Sequence, residues 1–121
     1  YPFISTKIPV FSFPPLSCPN LALPTIRKVR EINPNRIAVG HYGYVNDVVD
    51  HLNKCEFFVQ RFLQILENPK SAKENLKKFY DSLFYPGCTD KYHRLRGHMN
   101  INYIGIKSII HPEKFVDYFN C

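Results

Sequence analysis

The chain has no tryptophan, one methionine and five glycines in 121 residues. No apolar run approaches the ~18 residues that a helix needs to cross a bilayer, which excludes a span of that kind. The glycines fall neither as GxGxxG nor in a loop ending Gly-Lys-Ser/Thr. Nucleotide loops built on those patterns are therefore excluded, and Gly40 and Gly43 resemble a phosphate loop only in being close together. No Asn-x-Ser/Thr sequon occurs, so nothing marks an N-linked glycan. No internal repeat is evident. Acids are also scarce, 10 against 16 Lys and Arg, and the net charge is +6. That surplus suits phosphates, sulfated glycans, anionic lipid heads or an acidic protein face.

Four cysteines are present: Cys18, Cys55, Cys88 and Cys121. Their even number and wide spread read as two long-range disulfides in a secreted protein. Three pairings can be drawn, and spacing does not choose among them. Each bridge would contribute roughly 3–4 kcal/mol in the chain-entropy model. The chain opens at Tyr1 with no basic–apolar leader, which fits a signal peptide already removed and an extracellular location.

Six of the ten prolines lie in residues 1–24, among Phe3, Ile4, Ile8, Val10, Phe11, Phe13 and Leu16. Prolines at this density oppose a helix or a central strand, and a disordered tail would be more polar. The expectation is an extended arm over residues 1–24, lying on the core or on a partner, before one small globular domain over residues 25–121. Ile26, Val29 and Ile32, each three apart, allow a turn or two of helix ended by Asn33-Pro34. Ile37 to Val39 reads as a short strand followed by a turn.

The longest periodic stretch is 46–67. Val48, Leu52, Cys55, Val59, Phe62 and Leu66 step by four and three, which keeps one helix face apolar. Asn46 is the expected N-cap, with Asp47 and Asp50 in the first turn. A second helix is expected over 71–85, opened by a Ser71–Glu74 capping box and striped by Leu76, Phe79, Tyr80 and Leu83. Lys70, Lys73, Lys77 and Glu74 make its solvated face. The short connection makes the two helices an antiparallel hairpin. Met99 to Ile110, rich in isoleucine and apolar on both faces, is the best strand candidate. A last helix is expected from Pro112, with Phe115 and Phe119 four apart. The fold class is thus α+β, a helical hairpin packed on a small sheet from the 37–45 and 99–110 regions, with all-α as the alternative.

Three groups of residues could carry chemistry. Asp47, His51 and Cys55 are spaced by four on one helix, a spacing that suits zinc ligands. A cap and a core or bridged cysteine explain them better, so no metal and no cofactor are expected. Cys88 with His93 or His98 would make a nucleophile–base pair if the fold joined them and left the thiol reduced. The third group is the basic cluster Lys91, Tyr92, His93, Arg94, Arg96 and His98, which combines charge with a ring for binding an acidic partner. The favoured reading is a non-enzymatic secreted binding or effector protein using this patch. Its partner would be a protein or an acidic polymer such as a sulfated glycan, with nucleic acid less favoured. The alternatives are an accessory subunit whose apolar arm packs on neighbours, and a small hydrolase using His93 and His98.

Overall fold

The computed structural model describes residues 8–15, 17–40, 43–85 and 95–119, with side chains at 95, 96 and 116–119 left aside. The described residues form a small α+β fold in which helices pack on helices. After the extended segment comes a 3-10 turn over Pro19–Leu21, and helix α1 spans Ala22–Ile32. Strands β1 (Ile37–Val39) and β2 (Gly43–Val45) form an antiparallel hairpin with Ile37 opposite Val45 and Ala38 opposite Tyr44. Helix α2 spans Val48–Leu66, α3 Ala72–Ser82 and α4 Leu95–Ile110. A 3-10 segment follows over Pro112–Phe119.

Helix α1 begins earlier than its prolines suggested. Pro19 opens the 3-10 turn, and Pro24 sits in the first turn of α1, where a missing N–H costs no intrahelical bond. The helix stops at Asn33, whose φ of 50° is left-handed, directly before Pro34. Arg30 links α1 to α2 by donating to Asn53 Oδ1 at 3.1 Å and to Glu56 Oε2 at 3.0 Å.

The hairpin of α2 and α3 forms as expected, with two local differences. Asp47, not Asn46, caps α2, its carboxylate accepting from the Asp50 N–H at 3.1 Å. The Ser71–Glu74 capping box does not form. Pro69–Ser71 is a 3-10 turn, the Ser71 hydroxyl accepts from Asn75 Nδ2 at 3.0 Å, and Glu74 pairs with Lys78 at 2.7 Å. The buried face of α2 is wider than the six-residue stripe, because His51, Phe58 and Ile65 join it. A stripe that must meet helices on more than one side has to be this broad. Leu76, Phe79, Tyr80 and Leu83 are all buried, as their spacing indicated.

The main correction is at 99–110, which is α4 and not a strand. It packs on α3, so the helical hairpin is covered by a helix where a strand was expected. Runs that are apolar on both faces satisfy either periodicity, and only the placement of neighbours separates them.

The described part of the arm lies on its own core. Ile8, Val10 and Phe13 are buried and Phe11 is half-buried. A run of rings ties the arm to the hairpin: Phe13 to Phe62 at 4.6 Å, Phe11 to Phe58 at 5.7 Å, and Phe58 to Phe79 at 5.2 Å. Phe58, Phe62, Leu76 and Ile106 are fully enclosed, and each such side chain contributes about 1.5–3 kcal/mol through loss of water contact.

Candidate functional sites

Asp47, His51 and Cys55 follow one another at four-residue spacing from the N-cap of α2 into its second turn. Asp47 is spent on the helix cap. His51 and Cys55 are both buried, with Cys55 Sγ and His51 Nε2 3.5 Å apart. Burial pushes the Cys55 thiol up to about 11. The same desolvation lowers the pKa of His51 from its ordinary value. Both shifts favour the neutral forms, so the pair is a thiol beside an imidazole and lacks the thiolate that nucleophilic catalysis requires. No group of three metal-ligating side chains stands together among the described residues.

Cys18 is exposed and Cys55 buried, and both are thiols in this structure. Cys88 and Cys121 lie outside the described residues. So do Lys91, Tyr92, His93 and Arg94 of the expected basic patch, and the side chain of Arg96. The geometry of a Cys88–His93 or His93–His98 pair is therefore not described.

His98 is described, and it faces the arm. It is half-buried in the first turn of α4, where its Nδ1 and the Ser12 hydroxyl are hydrogen-bonded at 2.8 Å. Burial lowers its pKa, which favours the neutral ring. One turn further along, Asn102 is fully buried. Its Oδ1 accepts from the Phe13 N–H at 2.6 Å, and its Nδ2 donates to the Phe11 carbonyl at 2.8 Å and to the Tyr80 hydroxyl at 2.6 Å. Burial also raises the pKa of Tyr80, so its hydroxyl stays protonated. Gly105 completes the contact. A Cβ there would collide with the Phe13 carbonyl oxygen, so glycine is what lets the arm backbone approach α4. His98, Asn102 and Gly105 follow i, i+4, i+7 and form one docking stripe. None of the three was singled out for that role from the sequence. A helical reading of 99–110 would have aligned them.

A second arrangement lies where α3 meets α4. Lys107 Nζ is 4.9 Å and Lys73 Nζ 5.7 Å from the centre of the Tyr103 ring. Both distances are within the range of a cation–π contact. Lys77 on α3 and Lys70 in the 3-10 turn before it are exposed, four residues after and three before Lys73. No carboxylate pairs with any of these four lysines among the described residues; the lysine ion pairs there are Lys54–Asp50 and Lys78–Glu74. Sequence reasoning placed Lys73 on a plain solvated face and Tyr103 on a strand. The signal that could have joined them is the i, i+4 spacing of Tyr103 and Lys107 on a helix. Near the β-hairpin, the Arg36 guanidinium sits 4.8 Å from the Tyr44 ring centre.

No helix of the described residues is long and apolar enough to cross a membrane. No family model, curated protein or solved structure matches the chain.

Proposed function

We propose that the protein is a secreted binding protein without catalytic activity. Its basic and aromatic surface engages an acidic partner, and pairing of its cysteines cross-links it in an oxidising compartment. The observation that supports this reading is uncompensated positive charge. Among the described residues, carboxylates pair with Arg30, Lys54 and Lys78. Arg27, Lys28 and Arg36 are exposed without such a partner, and so are the α3 and α4 lysines around Tyr103. Charge left open in this way attracts polyanions and acidic faces, and speeds encounter with them at low ionic strength.

Retention on a heparin column tests the surface. The parent protein is expected to bind at low salt and elute as salt rises. Arg94→Ala/Arg96→Ala is expected to elute earlier, and a parent that runs through unretained would remove the reading. Intact mass with and without reduction tests the cross-links. Four free thiols in protein recovered from an oxidising compartment would overturn the secreted, bridged form.

A further inference from the structure

We infer that Tyr103, Lys73 and Lys107 form a binding site for the sulfate groups of a sulfated glycan. The inference rests on the reading of the protein as a binder of acidic partners, and it assigns that binding to the junction of α3 and α4. Two ammonium groups stand within 5.7 Å of one ring centre, and no described carboxylate neutralises either. Two ammonium groups placed around one ring add their positive potentials, and a bound anion would be favoured in that combined field. Each ammonium turned toward the ring keeps N–H groups for an outside acceptor. The Tyr103 hydroxyl has no hydrogen-bond partner among the described residues, so it is a third donor in the same place. Lys77 on α3 and Lys70 in the 3-10 turn before it extend the positive strip, and a repeating polyanion can follow such a strip where a single small anion cannot.

The class of polyanion follows from the ring. Proteins that hold single-stranded nucleic acid stack bases on open aromatic faces. Here lysine ammoniums lie over the Tyr103 ring, and the ring is half-buried. Charge and hydroxyl donors remain available, while the stacking surface is occupied. Sulfate esters on a sugar chain use the former and do not need the latter.

The test is the affinity of the full chain for a heparin-derived oligosaccharide, measured by calorimetry. Lys73→Gln/Lys107→Gln is compared with Arg27→Gln/Lys28→Gln, which removes the same charge from α1. The α3–α4 pair is expected to weaken binding by about tenfold or more, from two charge-assisted contacts. The α1 pair is expected to weaken it by about threefold or less, from the general field alone. Tyr103→Phe, which keeps the ring, is expected to cost about twofold to fivefold. All of these side chains except Tyr103 are exposed, and circular dichroism confirms that each variant is folded. Equal losses in the two double variants would mean diffuse attraction and overturn the site. A parent that binds while Lys73→Gln/Lys107→Gln matches it would overturn the site and leave the general reading standing. A parent that does not bind would overturn the reading beneath it. A single-stranded oligonucleotide that binds as tightly as the oligosaccharide, and is lost in the same variant, would overturn the glycan assignment.

Discussion

Asn102 stands in for a neighbouring strand to Phe13. Its amide oxygen lies 2.6 Å from the Phe13 backbone nitrogen, and its amide nitrogen 2.8 Å from the Phe11 carbonyl. The two ends of a carboxamide carry one acceptor and one donor, the same pair that a strand residue presents. An extended segment needs partners for its backbone once it is buried. Here a single side chain, fully buried on α4, supplies them.

Asn102→Ala should therefore destabilise the fold by about 2–4 kcal/mol, because it leaves buried groups of the arm and the Tyr80 hydroxyl unpaired. Urea unfolding measures the loss, and hydrogen exchange at the Phe13 amide locates it. A variant with parental stability and a protected Phe13 amide would show that the arm is held by its rings alone.

Gly105→Ala sets two effects of opposite sign against each other. Replacing glycine inside a helix with alanine gains about 1 kcal/mol of helix propensity. The new methyl group, however, would meet the Phe13 carbonyl oxygen, and a backbone atom cannot swing aside as a side-chain end can. Overpacking of this kind costs typically 1–3 kcal/mol. The clash should win, so the variant melts lower than the parent and its arm becomes easier to cleave with protease. A higher melting temperature would mean that the arm does not lie where Gly105 requires it.

Acidification should weaken the fold in two windows. Burial lowers the folded-state pKa of His51 and of His98 below 6.5. As pH falls past that value the unfolded chain takes up protons first, so this stability is complete above 6.5 and is lost below it. Glu74, whose pKa the Lys78 hydrogen bond lowers from 4.5, acts in a more acid window by the carboxylate version of the same rule. Urea midpoints should fall between about pH 7 and pH 5.5, and His98→Gln should flatten that slope. A flat profile in the parent across this range contradicts the burial of both rings.

Thiol labelling of reduced, folded protein should separate the described cysteines. Cys18 is exposed and Cys55 buried, with the Cys55 thiol pushed up to about 11. Near pH 8, Cys18 should react quickly and Cys55 only as the protein opens. Peptide mapping after a short pulse of alkylating reagent reads both rates. Equal labelling of the two would place Cys55 at the surface.

The α2–α3 hairpin was legible because Val48 to Phe62 and Leu76 to Leu83 each keep one helical period over several turns. Helix ends at Asn33-Pro34 and Asn68-Pro69 were legible from stereochemistry alone, since proline restricts the residue before it. The described arm segment over residues 8–15 was legible as non-helical and apolar, but residues 19–24, read as part of the arm, are helical, and the arm's docking partner was not legible. Residues 12–13 and residues 98–105 are far apart in sequence, and no local rule relates them. The Tyr103 site was hidden for the same reason, because Lys73 reaches it only when α3 and α4 pack together.

Taken by itself, the sequence determined the elements whose periodicity is one-sided, the positions where helices must stop, and a surface with more cations than acids. Tertiary structure decided the rest. Met99 to Ile110 is β-branched and apolar on both faces, so propensity and pattern both leaned toward a strand. Helix α4 prevails because a helix brings His98, Asn102 and Gly105 onto one side, where the arm backbone finds its hydrogen-bond partners and room to approach. A strand would have turned Gly105 away from Asn102, toward the opposite face of the sheet.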